Sequence, residues 1–286
     1  MRVTVGCAQF SPRKAEVQAN LDTLSDRIVQ AAEEGCDLVA FPETATSGYF
    51  LEGGVLEASL ESGDLLTSLE RRLQGRIADP IDVVVGFYEK SAGNLYNSAA
   101  YLQFDPNGGR VVHVYRKFFL PTYGVFDEER FVNRGRELGV FDTRFGRVGM
   151  LICEDVWHSV LPTLTALAGA QILIVPSASP ARGFSGDDIE NHDRYRRMMR
   201  AVSEEHAIYS LNVQLCGFEG GKGFVGGSLV IDPMGRVVGE SPIAEEHLLV
   251  AEMDLDLIAI ARANSPLLGD LQSAWSDIKR IVAGID

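Results

Sequence analysis

Long apolar runs, internal repeats and low-complexity tracts are missing from this sequence, and each absence narrows what the chain can be. Nowhere do about 18 apolar residues follow one another, which excludes a hydrophobic transmembrane helix. The opening Met1-Arg2-Val3-Thr4-Val5-Gly6-Cys7 reads as a strand and has neither the apolar region nor the cleavage site of a signal peptide. Basic residues are the minority, 26 Lys and Arg against 40 Asp and Glu, and a formal net charge of -14 argues against a nucleic-acid backbone as partner. Cysteine is scarce: Cys7, Cys36, Cys153 and Cys216 lie far apart with no C-x-x-C pair, which fits free thiols in a reducing compartment rather than a disulfide or zinc framework. Three of the four read as core residues. The histidines, His113, His158, His192, His206 and His247, show no H-x-x-x-H spacing, so no metal site is expected from them. What remains is a soluble, cytoplasmic protein that does not engage membranes or nucleic acid and whose partners are small molecules and other proteins.

The 286 residues, 46% of them hydrophobic, suffice for a large core. Residues 3–9 form a first strand. Val17, Leu21, Leu24 and Ile28 then recur at helical spacing until Gly35, and residues 38–41 form a short buried strand stopped by Pro42. A long loop is expected over residues 44–63 and a helix over 65–78. Strands follow at 81–88, 95–104 and 111–115, the last two joined by the turn Asp105-Pro106-Asn107-Gly108-Gly109. Residues 116–135 show no periodicity. Further strands at 147–152, 172–175 and 208–214 alternate with helices near 160–168 and 188–206. Shorter strands flank the turn Asp232-Pro233-Met234-Gly235, and residues 247–253 complete the set. About a dozen strands interleaved with roughly five helices fit two mixed sheets packed together with helices outside.

Three chemically distinct groups stand at strand ends. Cys153 follows the apolar run Val148-Gly149-Met150-Leu151-Ile152, Glu43 closes Phe41-Pro42-Glu43, and Lys117 closes Tyr115-Arg116-Lys117. A free thiol is only a few per cent thiolate near neutral pH, so attack on an amide or nitrile carbon needs a base. A carboxylate in a dry pocket can take that proton and later return it to the departing nitrogen. The oxyanion that forms needs donors, each typically worth about 3 to 4 kcal/mol. Lys117 and the backbone N–H of Glu154, at a tight strand-to-helix turn, are the candidates. Read singly, these residues are a buried core cysteine, a solvated strand-end charge and a turn carboxylate; their joint context favours a site.

The sequence resembles the nitrilase, or carbon-nitrogen hydrolase, superfamily across nearly its whole length. The resemblance rests on Phe41-Pro42-Glu43, on Tyr115-Arg116-Lys117-Phe118-Phe119-Leu120-Pro121, on Ile152-Cys153-Glu154-Asp155 and on Phe224-Val225-Gly226-Gly227-Ser228-Leu229-Val230-Ile231-Asp232-Pro233-Met234-Gly235. It implies an α/β fold, a four-layer αββα sandwich, formed by a single domain over residues 1–286 with a C-terminal arm at about 256–286. It implies Glu43 as general base and acid, Lys117 as oxyanion stabiliser, Cys153 as nucleophile, and Glu128 as a second glutamate that orients Lys117 and the substrate. It also implies no metal, no organic cofactor and a homodimer or higher homo-oligomer.

The stretch from Lys117 to Glu128 and the Cys-Glu-Asp motif are most similar to the glutaminase modules of glutamine-dependent NAD synthetases. That likeness suggests Tyr123 and Ser179 as pocket residues and leans toward a small-molecule primary amide as substrate. No Ser-Gly-Gly-x-Asp-Ser motif of the synthetase domain occurs, so a module without that domain is expected. Hydrolysis of an N-carbamoyl amine or a nitrile is the alternative in the same site, and a catalytically idle interaction protein the alternative of another class. Arg182 reads as an ion-pair partner of Asp187 and Asp188 more readily than as a substrate ligand. His158 reads as a polar surface residue, and Arg194, Arg196, Arg197 and Arg200, amid acidic neighbours, read as a salt-bridged helix.

Overall fold

The computed structural model describes residues 1–182, 184–185 and 188–285. Strand β1 (Arg2–Gln9) leads to helix α1 (Val17–Glu33), whose Leu21, Leu24, Ile28 and Ala31 are buried at helical spacing. Gly35, at φ +78°, ends that helix, and the Cys36 N–H turns back to the Ala31 carbonyl at 2.9 Å in a Schellman-type cap. Strand β2 (Leu38–Ala40) follows. The expected loop over 44–63 contains a helical turn at Glu52–Gly54 and the short helix α2 (Val55–Ala58). Helix α3 (Ser62–Leu73) starts and stops earlier than expected, with Gly75 at φ +72° just beyond it. A meander of β3 (Ile81–Ser91), β4 (Asn94–Asp105) and β5 (Gly108–Arg116) completes the first half.

The second half runs through β6 (Gly139–Thr143), β7 (Gly146–Met150), α4 (Val160–Leu167) and β8 (Ile172–Ser177). Two-residue strands β9 (Phe184–Ser185) and β10 (Asp188–Ile189) precede α5 (Glu190–His206) and β11 (Tyr209–Gln214). A hairpin that periodicity did not suggest, β12 (Cys216–Glu219) with β13 (Lys222–Val225), comes next. After β14 (Leu229–Ile231), β15 (Val237–Glu240) and β16 (His247–Asp254), the C-terminal arm proves to be two helices, α6 (Asp256–Asn264) and α7 (Leu267–Val282).

Two six-stranded mixed sheets result, ordered β16-β1-β2-β3-β4-β5 and β15-β14-β11-β8-β7-β6. Alternation along each strand assigns the faces. Val3, Val5, Cys7, Leu38, Ala40, Val84, Ala99 and Tyr101 point into the core between the sheets, where they meet Val148, Met150, Ile172 and Leu211. Their neighbours Val39, Phe41, Val83, Val85, Ala100 and Leu102 point the other way and are covered by α1 and α3. On the far side α4 and α5 cover the second sheet, and α7 packs on both helices. The fold is the expected αββα sandwich. Among the described residues no helix is long and apolar enough to cross a membrane.

Parallel pairing at the middle of each sheet, β1 with β2 and β3, and β7 with β8 and β11, directs carboxyl ends toward one place. Open α/β sheets carry their sites at such ends. Glu43 follows β2, Cys153 follows β7 and Ala178 follows β8, so the topology alone collects residues that lie more than a hundred positions apart in sequence.

Candidate active site

Glu43 leaves β2 through Phe41-Pro42 and is fully buried. Its Oε1 accepts Lys117 Nζ at 2.7 Å and Asn97 Nδ2 at 2.7 Å, and its Oε2 accepts the Ala178 N–H at 2.8 Å. Three donors thus converge on one buried carboxylate. The Lys117 ammonium, also fully buried, reaches Glu128 Oε1 at 2.6 Å on its other side. Burial alone would lower its pKa, but the flanking Glu128 and Glu43 carboxylates override that and hold it well above the ordinary lysine value. Glu128 opens the helical turn Glu128–Arg130 and accepts the Tyr49 hydroxyl as well. Burial and the nearby Glu43 raise the Glu128 carboxyl to about 7, against the opposing pull of Lys117.

Cys153 starts the helical turn Cys153–Trp157, separated from β7 by Leu151 and Ile152, and adopts φ +47°. A non-glycine residue in that left-handed region is strained, and such strain clusters where a nucleophile must project from a sharp turn. Its Sγ lies 3.2 Å from the Tyr195 hydroxyl. Burial pushes the thiol pKa up, Glu43 adds to that, and Lys117 and Tyr195 oppose it. The thiol therefore rests protonated near a carboxylate and a cation. Glu154, the next residue, accepts the Tyr123 hydroxyl at 2.9 Å, with His158 3.7 Å from its carboxylate.

A cavity of about 450 Å³ opens beside the thiol turn, lined by Tyr123, Glu154, Trp157, His158, Arg182, Glu190, Asn191 and Arg194. Ser179 is not part of that lining: it is buried, and its hydroxyl accepts the side chain of Asn191, which does face the cavity. His158 is exposed, as expected, and it also stacks on Phe119 with ring centroids 3.8 Å apart and lines the cavity. Arg182 lies over the Phe126 ring at 5.2 Å. Asp187 and the side chain of Asp188, its expected partners, fall outside the described residues. Among the described residues, Arg194, Arg196 and Arg200 of this helix are tied to other elements. Arg196 pairs with Glu240 at 3.4 Å, Arg194 sits 4.4 Å over Trp157, and Arg200 donates to the Gly235 carbonyl at 2.8 Å.

The structure thus brings Glu43, Lys117, Glu128 and Cys153 together, with Glu154 and Tyr123 at the cavity edge. Such a set can accept a proton, hold a cation near a reacting carbon and present a sulfur to it.

A match to the carbon-nitrogen hydrolase model extends over residues 4–263. The chain belongs to the carbon-nitrogen hydrolase family. It is 30% identical over 260 residues to a glutamine-dependent NAD(+) synthetase of Thermotoga maritima, covering 89% of this chain but only 42% of that relative. It is also 28% identical to the N-carbamoylputrescine amidase of Solanum tuberosum, covering 91% of this chain and 89% of the relative. Among solved structures, a mutant amidase from Nesterenkonia sp. AN1 with acrylamide added at its active-site cysteine superposes with a TM-score of 0.72. That pair is 26% identical, and the match covers 92% of this chain and 97% of the amidase. Carbon-nitrogen hydrolase membership supports hydrolytic activity.

Sequence reasoning missed four polar groups that hold this constellation. Asn97 donates to Glu43 from β4, where alternation puts it on the same face as Ala99 and Tyr101; a polar residue on a core face was the available signal. Tyr49 gave none, lying in the expected loop. Asp155 stands out in the sequence only as part of a motif, yet it is buried and accepts four hydrogen bonds, from Tyr115, Phe118, Phe119 and Ile152. Tyr195 shares a buried helical stripe with Met199 and Val202, which reads as plain core.

Proposed function

We propose that this protein hydrolyses a linear primary amide to its acid and ammonia through a thioester on Cys153. The observation that carries the reading is the buried Lys117 ammonium, fixed between Glu43 and Glu128 and acting electrostatically on the Cys153 thiol. Glu43 Oε2 accepts one N–H and keeps a lone pair for a proton. In the first step the thiol proton passes to Glu43 as sulfur bonds the carbonyl carbon. The oxyanion so formed meets the Lys117 ammonium and the Glu154 N–H. Glu43 then returns the proton to nitrogen, the C–N bond breaks and ammonia leaves. Water repeats the sequence: it gives Glu43 a proton, its oxygen bonds the carbonyl carbon, the C–S bond breaks, and the sulfur recovers its proton from Glu43. Glu128, braced by Tyr49, orients Lys117 throughout.

N-carbamoyl amine hydrolysis is the second reading, favoured by the amidase of Solanum tuberosum that matches over nearly its whole length. Ammonia release from a panel of linear amides, against carbon dioxide release from carbamoyl compounds, separates the two. The amide reading expects ammonia from amides, a mass adduct confined to Cys153 and no turnover by Cys153→Ala. Uniform modification of all four thiols, or none, would favour a catalytically idle protein.

A further inference from the structure

We infer that the Tyr195 hydroxyl is a catalytic donor to sulfur, holding the Cys153 thiolate by an O–H···S hydrogen bond at both points where that thiolate appears. The inference rests on reading Cys153 as the nucleophile. The geometry that carries it is the 3.2 Å separation between Tyr195 Oη and Cys153 Sγ. The phenol is held there from two directions. Helix α5 buries it along with Met199, and the Trp157 ring, from the turn that carries Cys153, meets it edge-on at 5.1 Å and 88°. Both partners of the hydrogen bond are therefore fixed by the same turn and helix.

The titratable groups acting on the sulfur are Glu43 from the loop after β2, Lys117 from the end of β5, Tyr123 from the loop beyond it, and Tyr195. Glu43 disfavours a thiolate and must take its proton. Lys117 favours one, but two of its three N–H donors are taken by carboxylates, at 2.7 and 2.6 Å, and the third is the one the oxyanion requires. The Ala178 N–H also acts on the sulfur but is shared with Glu43 Oε2 at 2.8 Å, so a buried thiolate calls for a further donor of its own. Burial and the neighbouring thiol push the phenol's own pKa well above its usual value, so it stays protonated and donates.

No proton leaves Tyr195 in the cycle. The thiol proton goes to Glu43 as the C–S bond forms. When that bond breaks in the second half-reaction, sulfur leaves with the electron pair, held by the phenol O–H until Glu43 returns the proton. The hydrogen bond thus favours both attack and departure of sulfur.

The test compares Tyr195→Phe, which keeps the ring against Trp157, with wild type. Alkylation of Cys153 by iodoacetamide is followed by intact mass from mildly acid to alkaline pH, alongside kcat and KM for an amide. Loss of one hydrogen bond to a charged atom should slow alkylation at neutral pH by about ten- to a hundredfold and move its pH midpoint upward. kcat should fall by a similar factor with KM little changed. Site-specific 3-fluorotyrosine at position 195, a stronger donor of the same shape, should do the opposite, and it decides the matter should Tyr195→Phe fail to fold. Alkylation profiles that superpose for wild type and the altered proteins would overturn the inference. Alkylation requires no substrate, so a wild type that hydrolysed no amide would sink the proposed reaction and leave this comparison standing.

Discussion

The carboxylate of Asp155 accepts the backbone N–H of Phe119 at 2.8 Å, tying the turn that carries Cys153 to the strand end that carries Lys117. Its Oδ1 also takes the Phe118 N–H at 3.1 Å, and its Oδ2 takes the Ile152 N–H at 3.0 Å and the Tyr115 hydroxyl at 2.8 Å. Lys117 is thus bracketed on both sides by residues bound to one buried acid. In Asp155→Asn an amide nitrogen replaces one acceptor oxygen and confronts donors with a donor. A loss of about 3 kcal/mol is expected, as for a buried charged acceptor left half-satisfied. Urea unfolding measures it, and slower alkylation of Cys153 should accompany it. A variant as stable as wild type would show that the bracket is dispensable.

Glu128 predicts a pH dependence with a definite sign. Burial and the adjacent Glu43 raise its folded-state pKa from 4.5 to about 7, so between those values the folded chain holds a proton that the unfolded chain releases. Its contribution to stability is then fully present below about pH 4.5 and is lost as pH rises through about 7. Asp155, raised by burial to about 6, adds a slope of the same sign in its own window. Glu128→Gln cannot titrate, so its stability should fall less than that of wild type between mildly acid and mildly alkaline pH. Unfolding free energies across that range check this, and equal slopes would contradict it.

The parts of the fold that obey one periodicity are legible in the sequence itself. Strands β3 and β4 alternate between two apolar environments and the Asp105-Pro106-Asn107-Gly108 turn follows them, whereas a bulge in the β4–β5 pairing leaves Val111 and Val114 on one face and Val112 and Tyr115 on the other. Residues 116–135 carry no period because they serve Glu43, Asp155 and the cavity rather than a layer. The hairpin of β12 and β13 is hidden because its turn, Gly220-Gly221, and flanking glycines resemble loop. Helix α7 places Leu268, Leu271, Trp275 and Ile278 at helical spacing, a signal present in the sequence of what was expected only as a covering arm. In the candidate site, the ionisable residues announce themselves through motif context. Asn97, Tyr49 and Tyr195 do not: Asn97 looks like an error of pattern on a core face until its partner is known, Tyr49 lies in a loop without periodicity, and Tyr195 passes for a core aromatic.

Lys117→Met keeps most of the side-chain volume and removes the shared cation. Glu43 and Glu128 would then face one another in a dry site with no countercharge between them. Breaking a buried pair in this way is expected to cost about 3 to 5 kcal/mol at mildly alkaline pH. The loss should shrink in acid, where a protonated carboxylate no longer needs the ammonium. Turnover should fall by about a hundred- to a thousandfold through the missing oxyanion donor. A variant that kept most of its turnover would remove Lys117 from that role.

Gly86 fixes the height at which Glu43 crosses the sheet. A Cβ on Gly86 would lie 2.2 Å from the Pro42 carbonyl oxygen, 2.7 Å from the Glu43 Cα and 2.7 Å from the Thr44 nitrogen. These are backbone atoms, so no side chain can swing aside to relieve the clash. The loop is also stitched to β3 around that point, by the Phe41 N–H on the Val84 carbonyl at 2.8 Å and the Thr46 N–H on the Gly86 carbonyl at 3.4 Å. Gly86→Ala must therefore lift Pro42 and Glu43 away from the sheet and displace the carboxylate from Lys117 and Asn97. Overpacking of this kind costs about 1 to 3 kcal/mol, whereas misplacing a catalytic group by an ångström can cost about a hundredfold in rate. The expected signature is a modest fall in unfolding free energy with a disproportionate loss of kcat. Gly53→Ala, in the same connection but with nothing within 4 Å of its added Cβ, is the control and should leave turnover near wild type. Equal kcat for Gly86→Ala and the control would mean that Glu43 need not sit where the sheet holds it.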